Sequence, residues 1–457
     1  MSYSYKITPI FTNIITKIPQ KVAKYPFRAQ NYNFFLIFCH IEFAISKFII
    51  NFVPKKRDVR IKMEEFFRTH TYLVEHTNAT VRRKLMDEIN WNDRLIGIKG
   101  TRGIGKTTFL LQYAKEHFDV NDRKCLYVNM NNFYFQGRGI ADFAGEFYNE
   151  GGRVLLIDQV FKHPEWSPEL RKCHDFYPNL KIVFTGSSVM RLKEENPELN
   201  GIVKSYNLRG FSFREFLNLK TGNHFSSYTL DEILGSHERI VKDILPYVSP
   251  QSYFQDYLHH GFYPFFQEHR NYSENLLKTM NMVTEVDILL IKQIELKYLT
   301  KIKKLFYLLA LEGNKAPNVS WLAQEIETSR ATVMNYIKYL ADARLINMIY
   351  PTHCSFPKKP SKVMMHNTNL MYAIYPIAVK KQDVMETFFV NTMWKDHTVN
   401  QGAKDDFYIV DDKLKFKICN ALDVERKKFR QDTIYARFNT EVGRGNQIPL
   451  WLLGFLY

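Results

Sequence analysis

One eight-residue run carries the most definite chemistry in this chain: Gly100-Thr101-Arg102-Gly103-Ile104-Gly105-Lys106-Thr107. Its spacing is GxxxxGK followed by Ser or Thr. In that pattern glycines let backbone N–H groups turn inward around a phosphate, and a following helix adds the partial positive charge of its N-terminus. Lys106 is then placed to reach the β- and γ-phosphates of a nucleotide, and the Thr107 hydroxyl to ligate Mg2+. Gly100, Thr101, Gly103, Ile104, Gly105 and Thr108 complete the cradle.

A carboxylate belongs with it. Residues 152–157 (GRVLLI) end on Asp158, the pattern of a parallel strand buried on both faces with an acid at its carboxyl end. An acid there holds Mg2+ through water; the plainer alternative is a helix cap at the strand's end. Gln159 comes next. A Glu at that place would take a proton from the attacking water, whereas an amide only orients it. General-base catalysis is worth about 10²–10⁴ in rate, so Gln159 predicts slow turnover or none. Residues 181–185 (KIVFT) lead into Gly186-Ser187-Ser188, where polar groups at a strand's end would contact the γ-phosphate or the water.

These side chains need a frame. Short strands are expected at residues 94–99 (RLIGIK), 126–129, 152–157, 181–185 and 206–208. A helix is expected over 108–118, with Phe109, Leu110, Tyr113 and Ala114 on its apolar face. This is an α/β fold: a P-loop parallel sheet flanked by helices. From 228 to about 298 the chain is long-period apolar with few glycines, which predicts a helical lid or linker. Residues 303–311, 319–326 and 330–343 then read as three helices, the last burying Val333, Ile337 and Leu340 at i, i+4 and i+7. Thr328-Ser329 forms the turn and cap before it, and 345–350 (LINMIY) a first wing strand, giving a winged helix-turn-helix. In a DNA reader Ser329, Arg330, Thr332 and Asn335 would face the major groove; otherwise such a module only packs.

Composition sets outer bounds. With 45 % hydrophobic and 24 % charged residues, a mostly disordered chain is ruled out, and 457 residues suggest two to four domains. The net charge of +16 is uneven: residues 1–62 hold eleven Lys and Arg against two acids, so the remainder is only mildly basic. Residues 34–53 (FFLIFCHIEFAISKFIINFV) are long enough to cross a bilayer, but His40, Glu42 and Lys47 make insertion costly. That stretch reads as a weak membrane-surface anchor, or as upstream sequence before a natural start at Met63. Five scattered cysteines lack metal-ligand spacing, which predicts reduced thiols in a cytoplasmic protein.

In order and spacing, GTRGIGKTT, VLLID, KIVFTGSSVMRL and GFSFREF resemble the bacterial and archaeal AAA-type ATPases that carry a C-terminal domain of restriction-endonuclease-like ancestry. The resemblance runs from about Met63 to Tyr457, and the closing IPLWLLGFLY is similar to the end of such proteins. It implies ATP with Mg2+, an ASCE-type core, a helical region, a winged helix and a small α+β domain. The corresponding boundaries are 1–62, 63–222, 223–298, 299–356 and 357–457. Carried over, Gly100, Gly105, Lys106 and Thr107 match the Walker A pattern, Asp158 the Walker B acid, and Ser187 or Ser188 the sensor position. Two departures stand out. Gln159 replaces a Glu, and residues 200–203 (NGIV) stand where relatives carry a basic residue, leaving Arg191, Lys204, Arg209 and Arg214 as nearby substitutes.

A nuclease of that ancestry needs an Asp and then Glu-x-Lys on the next strand, so that carboxylates hold Mg2+ and the Lys orients water. Here Asp406 stands at the first place, Glu386 on the preceding helix, and Lys417-Ile418-Cys419 at the Glu-x-Lys. A Lys and a Cys there argue against cleavage and for a module that binds a protein partner. Three functions follow: an ATP-dependent conformational switch with slow hydrolysis, a DNA-associated ATPase, and an interaction protein without nucleotide chemistry.

Overall fold

The computed structural model describes residues 56–78, 81–190, 192, 196–268, 271–402, 407–421 and 430–457. The apolar stretch at 34–53, Arg191 and Asp406 lie outside them. The described residues before Phe66 fall in a separate compact unit and contribute only the start of helix α1 (Lys56–Glu75). Everything below concerns residues 66–457.

The first sheet holds β1 (Leu95–Gly100), β2 (Cys125–Asn129), β3 (Val154–Asp158), β4 (Lys181–Ser187) and β5 (Lys204–Asn207). Their order is β2-β3-β4-β1-β5, with every pairing parallel. All five residues of β3 are buried, as an apolar run covered on both faces requires. Because β4 lies between β1 and β3, the carboxyl ends carrying Gly100, Ser187 and Asp158 stand side by side; Gly100 pairs directly with Ser187. In open parallel sheets ligands bind outside these strand ends.

Helix α2 (Lys106–His117) follows β1, α3 (Ile140–Asn149) precedes β3, and α4 (Trp166–Phe176) precedes β4. The expected strands and helix are present with small shifts. Helix α2 starts at Lys106 rather than 108, because Gly105 in the left-handed region turns the chain straight into it. Strand β4 runs on to Ser187 because its ladder with β1 continues to Gly100.

Helix α5 (Phe213–Thr221) opens on a reciprocal capping box between Ser212 and Glu215; such an N-cap contributes about 1 kcal/mol. Helices α6 (Leu230–Ile244), α7 (Pro250–Asp256) and α8 (Tyr272–Met282) follow. Two π-helical turns, Tyr257–Gly261 and Val283–Ile288, interrupt this helical region. Next come α9 (Leu299–Glu312), α10 (Val319–Glu325) and α11 (Arg330–Asp342). An antiparallel pair, β6 (Ile346–Ile349) and β7 (Lys362–Met365), completes that group.

The remainder is a small α+β layer. Helices α12 (Thr368–Ile374) and α13 (Lys381–Met393) precede β8 (Val399–Gln401), β9 (Phe407–Val410), β10 (Leu414–Asn420), β11 (Ile434–Phe438) and β12 (Gln447–Pro449). This mixed sheet has order β12-β11-β10-β9-β8. The closing Leu450–Phe455 turn returns to α5, and Ser212 and Arg214 both donate to the Tyr457 carbonyl oxygen, at 2.6 and 3.0 Å. GFSFREF and the closing segment, distant in sequence, are therefore one packing unit. Among the described residues no helix is long and apolar enough to cross a membrane.

Candidate functional site

The loop after β1 is shaped by its glycines. A Cβ on Gly100 would lie 2.6 Å from the Leu208 carbonyl oxygen, and Gly105 has φ 89°, which strains any residue with a β-carbon. Helix α2 has no side-chain N-cap, unlike α5 and α6. Its first N–H groups are left for an anion. Lys106 Nζ donates to the carbonyl oxygens of Gly100 and Thr101, both at 2.7 Å. Burial pulls its pKa down to about 8, although Asp158 and Asp287 pull the other way.

Asp158, 1 % exposed, collects donors from two strands, β2 and β4, and from α2. Its Oδ2 accepts from Thr107 Oγ1 at 2.7 Å, Tyr127 Oη at 2.9 Å and Asn129 Nδ2 at 3.2 Å, while Thr185 Oγ1 donates to Oδ1. Burial first, and the Asp158 charge second, push the Tyr127 phenol well up, so it stays a donor. A hydroxyl and a carboxylate 2.7 Å apart beside a phosphate cradle are the hard oxygen donors that Mg2+ takes; the residues present fit that ion.

Gln159 is in the left-handed region at φ 56°, and its N–H donates to Thr185 Oγ1 at 2.9 Å. Its side-chain Oε1 is buried, lines the cavity and has no hydrogen-bond partner among the described residues. Ser187 and Ser188 part company. Ser187 lines the cavity and donates to Asp287 Oδ2 at 2.7 Å, whereas Ser188 turns away to the Ala343 carbonyl at 3.1 Å.

Lys106, Thr107, Asp158, Gln159 and Ser187 border a cavity of about 510 Å³, within the size range of small-molecule sites. Sequence reasoning missed one whole side of it. Val81, Phe211, Pro264 and Phe265 supply its apolar wall, and Asp287 also borders it. Of these only Phe211 lay in a noted motif. Arg83 was missed too: it donates to the carbonyls of Ile104, Arg209 and Gly210 at 3.1, 2.6 and 3.1 Å and to Glu215 Oε1 at 3.1 Å, and its guanidinium lies over the Phe211 ring.

Two of the basic substitutes point elsewhere. Arg209 donates to the Trp394 carbonyl at 3.3 Å and lies over the Tyr457 ring, and Arg214 holds the Tyr457 carbonyl. Lys204 is exposed on the edge strand β5. Among the described residues, the basic ones that do border the cavity, besides Lys106, are Arg83 and Arg102.

In the C-terminal layer Glu386 is buried on α13, with Lys362 Nζ at 3.0 Å and Tyr408 Oη at 2.6 Å on the same oxygen. A buried ammonium there neutralises the charge with which a carboxylate would hold a cation. Lys417 lies over the Phe407 ring on the neighbouring strand. In α11, Ser329 and Thr332 are joined in the N-cap, while Arg330 and Asn335 are exposed.

Residues 92–217 match the family described as AAA domain, and 251–407 match a domain of unknown function, DUF8612. The uncharacterised protein MJ1637 of Methanocaldococcus jannaschii is 27 % identical over 297 residues, covering 61 % of this chain and 62 % of that protein. Among solved structures, the Aeropyrum pernix ORC1 protein in complex with DNA aligns over 69 % of this chain and 92 % of its own, at 13 % identity and TM-score 0.27. C. elegans PCH-2 aligns over 36 % and 45 %, at 19 % identity and TM-score 0.21. Likenesses that weak bear on nothing further.

Proposed function

We propose that this chain, whose residues 92–217 are an AAA-type P-loop domain, binds Mg·ATP, hydrolyses it slowly and uses the bound state as a conformational switch. The carrying observation is the shared hydrogen bond of Thr107 and Asp158 beside an uncapped helix start. Lys106 would leave its two loop carbonyls for the β- and γ-phosphates. Thr107 would ligate Mg2+, and Asp158 would hold it through water. Bound Mg2+ would neutralise charge on the phosphates. Gln159 would orient water without taking its proton, which keeps the bound state long-lived. The apolar wall of Val81, Phe211, Pro264 and Phe265 gives a base somewhere to lie out of water. Lys106→Ala should weaken Mg·ATP binding at least a hundredfold in a calorimetric titration. Equal binding by the two proteins would sink this reading.

A second reading concerns DNA. Helix α11 buries Val333, Tyr336, Ile337 and Leu340 and leaves Arg330 and Asn335 exposed, while the β6–β7 connection carries exposed Lys358 and Lys359. Read as a winged helix, this presents donors to phosphates and base edges from two sides. Binding of duplex DNA that weakens with salt, and weakens further in Arg330→Ala, would support it. Indifference of both proteins to DNA at low salt would exclude it.

A further inference from the structure

Asp287 is an odd residue to find in a phosphate cavity. It sits on the π-helical turn Val283–Ile288, is 1 % exposed, and borders the cavity from the helical region. Each of its oxygens is held by a group of the nucleotide site. Arg102 Nε, from the glycine loop, donates to Oδ1 at 2.8 Å, and Ser187 Oγ, from the end of β4, donates to Oδ2 at 2.7 Å. Lys106 also feels its negative charge. A cationic donor from the loop and a hydroxyl donor from the strand end thus converge on one carboxylate of the protein itself. An anionic group whose two oxygens each take one donor is what a terminal phosphate could replace.

We propose that Asp287 is an internal competitor for the γ-phosphate: it occupies Arg102 and Ser187 until a nucleoside triphosphate displaces it, whereas a diphosphate does not reach it. This rests on the ATP-binding reading and gives that reading its moving part. A ligand shifts a conformational equilibrium only by its differential affinity for the two states, and here the difference is the third phosphate. Displacing Asp287 frees the π-turn that carries it, so the helical region registers whether ATP or ADP is bound. Such a turn suits the role, since π-bulges cost regular helix pairing and recur at functional sites. The other role open to a cavity carboxylate, that of a base or metal holder, predicts the opposite effect of neutralising it.

The test compares Mg·ATP and Mg·ADP binding by the full-length protein, by Asp287→Asn and by Asp287→Ser. Both substitutions remove the charge; the first keeps the shape, and the second guards against a misplaced amide. ATP should tighten about tenfold in either variant, equivalent to about 1.4 kcal/mol, while ADP affinity stays within about twofold of the unsubstituted protein. Unchanged ADP affinity also shows that the variant is folded. ATP binding that weakens, or that moves in step with ADP, overturns the proposal and leaves the ATP-binding reading intact. Loss of ADP binding by both variants also overturns it, because Asp287 would then be part of the scaffold. Failure of all three proteins to bind either nucleotide overturns the ATP-binding reading and this inference with it.

Discussion

Gln159→Glu should raise ATP turnover by about 10²-fold or more, the lower end of what a positioned general base contributes. The structure supplies the reasons for expecting a large effect from one atom. The backbone at 159 is already fixed in an uncommon conformation by the bond from its N–H to Thr185 Oγ1. Glu has the same reach, so its carboxylate would take the place of an amide whose Oε1 is buried and unpartnered among the described residues. Single-turnover hydrolysis with saturating Mg·ATP reads the chemical step without product release, and a binding titration alongside shows whether affinity changed. An increase below tenfold with intact binding would refute the argument and mean that another group positions the water. Turnover by the unsubstituted protein at several per second would refute it more simply.

Two further outcomes follow from buried charge. Lys106 has a folded-state pKa of about 8 against 10.5 unfolded, so between those values the unfolded chain holds more protons and this group's contribution to stability rises with pH. Nucleotide affinity should move the other way, falling about tenfold per pH unit above 8 as the ammonium is lost; a titration flat to pH 9.5 would contradict it. Arg83→Leu should cost about 3–5 kcal/mol in urea denaturation, because the buried Glu215 carboxylate loses the guanidinium 3.1 Å away; a loss under about 1 kcal/mol would show that Arg214, 3.8 Å from the same oxygen, suffices.

The parts legible in the sequence are those whose chemistry is enforced within a few residues. A phosphate loop needs its glycines, Lys and Thr at fixed local spacing, and a doubly covered strand needs an unbroken apolar run, so residues 100–108 and 154–158 declared themselves. Ser187 against Ser188 could not be separated by type; the alternation along β4 and its ladder with β1 decide which one faces the cavity. Asp287 and Phe265 gave no signal at all. Both come from a region read as plain helix, whose π-turns Tyr257–Gly261 and Val283–Ile288 leave no mark in apolar spacing. Arg209 and Arg214 looked like phosphate-reading candidates because charge next to a motif is ambiguous. Their geometry shows them fastening the sheet domain to the closing segment instead.

That contrast bears on where a nucleotide could act. On the side of GFSFREF the loop is pinned by buried, charge-assisted bonds: Arg83 joins Ile104, Arg209, Gly210 and Glu215, and the next turn holds Tyr457 through Ser212 and Arg214. Breaking the Arg83–Glu215 pair leaves a buried charge without its nearest partner, which is the costly kind of loss. On the opposite side the loop and β4 meet the helical region through Asp287, and there an incoming phosphate would replace the bonds that it breaks, donor for donor. On the proposed reading, motion driven by nucleotide would therefore be cheapest at the Val283–Ile288 turn and dearest at the closing segment. If the chain binds nucleotide as proposed, that asymmetry would make the helical region the element that responds and the C-terminal layer the frame against which it moves.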